Sequence, residues 1–196
     1  MSETQLTRER ILEQAELILR RYGPDKATVV DVARALGVSH GSVYRHFPSK
    51  AALRDAVTAQ WLARLSGRLT SVVNEPEPAP QRLRTWFDLL IAGKRKREVD
   101  DPELFATYVK LIQESREIVK AHIETLIEQV TAIVASGMER GEFTITDARK
   151  AGEAIFYATA RFHDPVHAAE WTDPGIDAAF DAVWMLLMRG LGAKVE

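Results

Sequence analysis

The sequence predicts an all-α protein of about nine helices, and three observations carry that expectation. Apolar residues recur at three- and four-residue spacing along most of the chain, no segment alternates like a strand, and capping residues stand at the ends of the periodic stretches. The first helix follows Thr7 as N-cap, with Ile11, Ala15, Ile18, Leu19 and Tyr22 on one face and Gly23-Pro24 as its stop. The second follows Thr28, repeats Val29, Val32, Ala33 and Leu36, and ends at Gly37. Ser39 caps a third helix of about two turns, in which Val43 and Phe47 form an i, i+4 apolar pair before Pro48. Ser49 caps a longer fourth helix through Leu53, Val57, Trp61, Leu65 and Leu69 towards Val73.

NEPEPAPQ, residues 74–81, has three prolines and no apolar period, and reads as a connection and the best domain boundary in the chain. Five further helices are expected beyond it. They run from Leu83 to about Arg97, from Asp101-Pro102 through Ile112, from Ser115 to about Glu139, from Thr146 to about Phe162, and from Pro174 to about Leu191.

Composition narrows the function. The chain has 196 residues, 46% hydrophobic and 28% charged, enough for a sizeable core, and no stretch approaches the ~18 consecutive apolar residues of a membrane span. No membrane partner is expected, and the expected location is cytoplasmic. The absence of cysteine excludes disulfides, thiolate metal sites and a cysteine nucleophile. Residues 1–50 hold 8 Lys+Arg against 6 Asp+Glu, net +2, while the remainder holds 18 against 22, net −4. The basic excess lies where a phosphate-facing domain would need it.

GVSHGSVYRHFPSK, residues 37–50, gathers the polar chemistry of the N-terminal part. Two short helices joined at a Gly-x-Ser turn, with a third in front and a long one behind, form the arrangement of a helix-turn-helix DNA reader. Such a turn also occurs in helical proteins that bind nothing. If Val43 and Phe47 face the core, a turn of 100° per residue puts Gly41 and Arg45 opposite, with His40 and Tyr44 on one flank and Ser42 and His46 on the other. Arg45 can present a fork to guanine O6 and N7, His40 or Ser42 can reach bases or phosphate, and Gly41 lets the backbones approach. Lys50 opens the fourth helix, whose free N–H groups favour an anion.

The run T-x-x-D-V-A-x-x-L-G-V-S-x-G-S-V-Y-x-H-F-x-S-K-x-x-L, Thr28 to Leu53, closely resembles the N-terminal signature of the TetR family of bacterial transcription regulators. The resemblance implies that Thr28 caps its helix against a phosphate and that Tyr44, His46 and Lys50 bind backbone oxygens. Reading of sequence would fall to His40, Gly41, Ser42 and Arg45, with Ser39 more a cap than a reader. It further implies a helix-turn-helix domain over residues 1–50 and an effector-binding and dimerisation domain over residues 51–196, connected by the helix 49–73. The implied function is a homodimeric repressor, released from a palindromic double-stranded operator when a small-molecule effector moves the heads out of register. The effector is not named by the sequence.

After residue 74 the resemblance extends only to helix count, size and position, so local reading leads. Phe180, Val183, Trp184, Leu187 and Leu191 form a stripe on the last helix, and Ala151, Ala154, Ile155, Ala158 and Phe162 lie on the helix before it. Both suit the four-helix dimer interface of the family, or an ordinary core. Trp86, Phe87, Phe105, Tyr108, Phe156, Tyr157, His163 and Trp171 are the expected effector-lining residues, with plain core packing as the alternative for each. His163 and His167 stand at i, i+4, a metal-ligand spacing that His122 would complete, yet Pro165 interrupts the helix between them. The expected state is therefore metal-free, with a metal-responsive or effector-independent DNA-binding dimer as the alternatives. KRKR, residues 94–97, is expected to be a solvated helix end. No HExxH, Gly-rich phosphate loop or activated nucleophile is present, so neither an enzyme nor a cofactor is expected.

Overall fold

A computed structural model describes residues 6–23 and 28–193. Among them are eleven α-helices and no strand: α1 Arg8–Tyr22, α2 Val29–Leu36, α3 His40–Tyr44, α4 Lys50–Ser66, α5 Leu69–Val73, α6 Ala79–Asp100, α7 Pro102–Glu114, α8 Arg116–Glu139, α9 Ala148–Ala158, α10 Ala160–His163 and α11 Ile176–Gly190. A 3-10 turn covers Pro165–Glu170. The expected caps are in place for α1, α2 and α3: Thr7, Thr28 and Ser39 each accept a backbone N–H, and Gly37 takes the left-handed conformation, φ 67°, that ends α2. The Pro24 part of the expected stop of α1 lies outside the described residues.

Two predicted helices are broken. The fourth stops at Ser66 because Gly67 is a poor helix former and the Ser66 hydroxyl donates to the Ala63 carbonyl, leaving α5 as a separate turn. The eighth divides at Thr159, whose buried hydroxyl donates to the carbonyls of Ile155 and Phe156 and ends α9. These breaks raise the count from nine to eleven.

The chain folds as two compact units, Met1–Leu62 with Asp101–Lys120, and Ala63–Asp100 with Ala121–Glu196. Residues 51–62 and 101–120, expected in the second domain, thus pack with the first. In that unit Trp61 of α4 stacks on Tyr108 of α7 at 4.2 Å, and the Tyr108 hydroxyl donates to Glu16 of α1 at 2.8 Å. Arg54 donates to Glu114 at 2.6 Å, Ser115 donates to Asp55 at 2.6 Å, and Arg20 pairs with Asp101 at 2.5 Å. A segment remote in sequence therefore fixes α4 against α1.

The second unit packs α6, α8, α9 and α11 around one core that includes Leu83, Trp86, Phe87, Ile133, Phe156 and Trp184. The crossing of α9 on α8 is close at Gly152, where an added Cβ would collide with the Thr131 side chain. The proline-rich connection is no loose linker. Arg82, buried, donates to the carbonyls of Val73 at 2.6 Å and Glu77 at 2.9 Å and to the Ser136 hydroxyl at 2.8 Å, while Glu142 accepts the Ala79 N–H. The expected boundary at residues 74–81 is instead tied into the second unit, because a guanidinium can bond two carbonyls and a hydroxyl at once. Arg82→Ala removes the guanidinium donor from the Val73 carbonyl and the Ser136 hydroxyl, leaving Arg140 to serve the Glu77 carbonyl, and is expected to cost about 2 kcal/mol in urea unfolding.

Candidate nucleic-acid interface

The outward face of α3 is set by two anchors. Val43 and Phe47 are fully buried against the first unit, so His40, Gly41, Tyr44 and Arg45 are exposed and Ser42 and His46 half-buried, as the helical wheel places them. The helix itself is a single turn and a half, shorter than expected, and Arg45 is its C-cap. The Ser39 hydroxyl accepts the Ser42 N–H at 3.2 Å and lies 2.9 Å from the Ser42 hydroxyl, which in turn accepts from Arg45 Nη2 at 3.3 Å. Ser39 is thus the cap, and Ser42 orients the guanidinium. Most of the Arg45 donors remain for a base edge.

Gly41 is not required by the fold. Its φ is not positive, and an added Cβ would meet only the Ser39 hydroxyl oxygen at an ordinary 3.8 Å.

Thr28 forms a full capping box with Asp31: its hydroxyl donates to the Asp31 carboxylate at 2.5 Å, its N–H does so at 3.2 Å, and Asp31 N–H donates to its hydroxyl at 3.2 Å. These bonds, with the Arg34 cation near, hold the Asp31 carboxyl below the usual carboxylate range. The Thr28 hydroxyl is therefore engaged within the chain by Asp31. At α4 the Ser49 hydroxyl accepts the Ala52 N–H at 3.0 Å, and Lys50 is exposed beside the first turn.

Sequence reading missed Arg8. It lies over the Phe47 ring at 4.3 Å and donates to the His46 carbonyl at 3.3 Å, bracing the end of the recognition turn from α1. No local spacing signals a contact across 38 residues.

The expected effector residues separate. Trp86, Phe87, Phe156 and His163 come together: Trp86 and Phe87 meet edge to face at 4.8 Å, and the His163 ring lies 4.7 Å from Phe156 and 6.0 Å from Phe87. The Trp86 indole donates to Gln129 at 2.9 Å. Trp171 is buried and donates to the Arg161 carbonyl, whereas Tyr157 is 62% exposed. Phe105 and Tyr108 belong to the first unit, and both are buried there.

Of the expected interface residues, Ile155, Phe162, Phe180, Trp184 and Leu191 are buried in the chain's own core, with Ala151, Val183 and Leu187 packed against it. Only Ala154 and Ala158 face outward. The outer faces are instead Ala154, Tyr157 and Ala158 on α9, and Ala178, Ala182, Met185 and Leu186 on α11. Among the described residues no three His, Asp or Glu side chains are placed to hold a metal ion. His163 Nε2 donates to the Phe156 carbonyl and His167 pairs with Glu170 at 2.9 Å, so the two rings have separate partners.

The family profile described as bacterial regulatory proteins of the tetR family matches residues 11–57, and that described as the tetracyclin repressor-like C-terminal domain matches residues 79–184. The chain belongs to the TetR family. It is accordingly a DNA-binding regulator and not an enzyme. It is similar to the nucleoid occlusion factor SlmA of Klebsiella pneumoniae, 26% identical over 191 residues and 94% of each chain. Its fold is shared with the fatty acid degradation regulator FadR from Bacillus halodurans, 21% identical over 98% of this chain and 100% of that one, TM-score 0.64. SmeT, the repressor of the Stenotrophomonas maltophilia multidrug efflux pump SmeDEF, is 17% identical over 96% of this chain and 92% of its own, TM-score 0.67. Among the described residues no helix is long and apolar enough to cross a membrane.

Two outcomes separate fold from recognition in this TetR-family head. Gly41→Ala is expected to leave thermal stability equal or raise it by up to about 1 kcal/mol, while weakening operator binding at least about tenfold by fluorescence anisotropy. Arg45→Ala should weaken the operator by ~1–3 kcal/mol and spare nonspecific DNA, whereas Lys50→Ala weakens both and flattens the salt slope by about one unit.

Proposed function

We propose that the chain acts as a homodimeric repressor, released from a palindromic operator by a small molecule bound in its second unit. The observation that carries the dimer is the pair of unpartnered apolar faces on α9 and α11, where Leu186 is 69%, Tyr157 62% and Met185 44% exposed. Surfaces of that kind on neighbouring helices are what a partner helix pair covers. Symmetry then gives the DNA reading its geometry: two copies of α3 reach successive major grooves when their centres stand roughly 34–36 Å apart. The aromatic interior around Phe87, Phe156 and His163 supports a small organic effector, as does the likeness to regulators described as repressors.

A second reading is a DNA-binding dimer that acts without a small-molecule effector; the likeness over 94% of both chains to a protein named a nucleoid occlusion factor rather than a repressor keeps this reading beside the first. A compound screen against the operator complex distinguishes the two. A metal-responsive dimer has no support from the described side chains.

Native mass spectrometry tests the dimer. The wild-type chain should appear at twice 22.0 kDa, with a few hundred daltons more per subunit if an effector is retained. Leu186→Asp should give a folded monomer with operator affinity reduced at least about a hundredfold, since a charge would be buried at the centre of the interface. A dimer unchanged by Leu186→Asp would remove α11 from that interface.

A further inference from the structure

Arg8 carries a charge that its own helix does not need. It stands three, four and seven residues before Ile11, Leu12 and Ala15, all buried, so it takes the next place on the inward stripe of α1. An apolar residue there would serve the core equally well. A cation in the first turn also opposes the helix dipole, which favours negative charge at that end. Thr7 fixes the turn, its hydroxyl accepting the Arg10 N–H at 3.3 Å, and thereby sets the direction in which Arg8 leaves the helix.

The guanidinium passes the end of the core rather than entering it. Its carbon lies 4.3 Å from the centre of the buried Phe47 ring, and Nη1 donates to the His46 carbonyl at 3.3 Å. Arg8 stays exposed despite these contacts, and among the described residues no carboxylate pairs with it. One N–H is used, which leaves a planar fork of donors that matches two oxygens of an anion. Held on the ring, that fork loses little freedom when it binds.

Its place on the molecule selects the anion. A cleft of about 410 Å³ lies between Leu6, ahead of α1, and the turn of α3; Val38, Ser42, Arg45 and His46 complete its lining, with no carboxylate among them. Arg8 joins that wall through the His46 carbonyl. Ser42 and Arg45 belong to the reading side of α3, so an anion held by Arg8 lies beside the surface that meets bases. The positive end of α1 adds to the attraction. DNA supplies such an anion at every phosphodiester.

We propose that Arg8 binds a backbone phosphate of the operator from α1, beside the groove that α3 reads. The contact is independent of sequence: it adds affinity and fixes register, and it leaves base selection to α3. It rests on the reading in which α3 faces the DNA.

The test measures binding of the full-length protein to a duplex recovered by selection from random sequences, and to a nonspecific duplex, by fluorescence anisotropy over a series of sodium chloride concentrations. Arg8→Met keeps a long apolar side chain on Phe47 and removes the charge. It should weaken both duplexes at least about fivefold near physiological salt and flatten the plot of log affinity against log salt by about one unit per subunit. Arg8→Lys, which keeps the charge, should retain the wild-type slope. Neither change should alter the preferred sequence. Arg8→Gln, read in the same way, takes the place of Arg8→Met if thermal melting shows that the latter does not fold. A folded, uncharged variant with the wild-type slope would overturn the contact. So would loss of the selected duplex with nonspecific binding spared, the mark of a residue that only braces α3. If Arg45→Ala and Lys50→Ala likewise change nothing, it is the reading of α3 that fails; if they act as stated above and Arg8→Met does not, the Arg8 contact alone fails.

Discussion

The DNA-reading surface depends on the burial of two side chains, Val43 and Phe47. Five helical residues cannot hold their own orientation, since a turn and a half forms too few hydrogen bonds to offset the cost of nucleation. The two anchors, on one face, fix the rotation of α3 about its axis, and that rotation decides which groups reach the solvent. Burial of Phe47 also gives Arg8 its platform, so the same anchor ties the end of the recognition turn to α1. Ser39, Ser42 and Arg45 then form a hydrogen-bonded line along the exposed side, which aims one guanidinium before any DNA arrives.

The head was legible because its determinants are local. The capping box of Thr28 and Asp31, the left-handed Gly37, the cap at Ser39 and the Val43–Phe47 pair all lie within a few residues of one another, where spacing and residue type carry the information. What holds α4 was not legible. The Trp61–Tyr108 stack and the Arg54–Glu114 pair join segments far apart in sequence, and nothing in either segment's period announces the other. The same limit hid the role of Arg82, whose three acceptors come from the preceding connection and from α8. A proline-rich stretch looks like a linker until the buried cation that binds its carbonyls is known.

The second unit shows a different limit. α11 is apolar on two sides, and periodicity identifies the stripes without saying which one faces the chain's own core. The aromatic side, Phe180 and Trp184, is the inner one, and Arg84 lies over both rings while pairing with Asp181 at 2.7 Å. The flatter side, with Met185 and Leu186, is left outside. The KRKR run shows a related limit: its helix continues to Asp100, and half-buried Lys94, expected at a solvated end, donates to the His163 carbonyl at 2.7 Å. Both cases turn on helix rotation and length, quantities that tertiary packing sets.

If α3 presents a sequence-reading face to DNA from a two-fold symmetric dimer, selection of random-sequence duplexes by the purified chain should enrich one palindrome with half-sites one helical turn or a multiple apart, lost or broadened at one base pair of each half-site when Arg45→Ala replaces the wild type. Enrichment of no sequence, of a site without dyad symmetry, or of the same palindrome with undiminished preference by Arg45→Ala would contradict it.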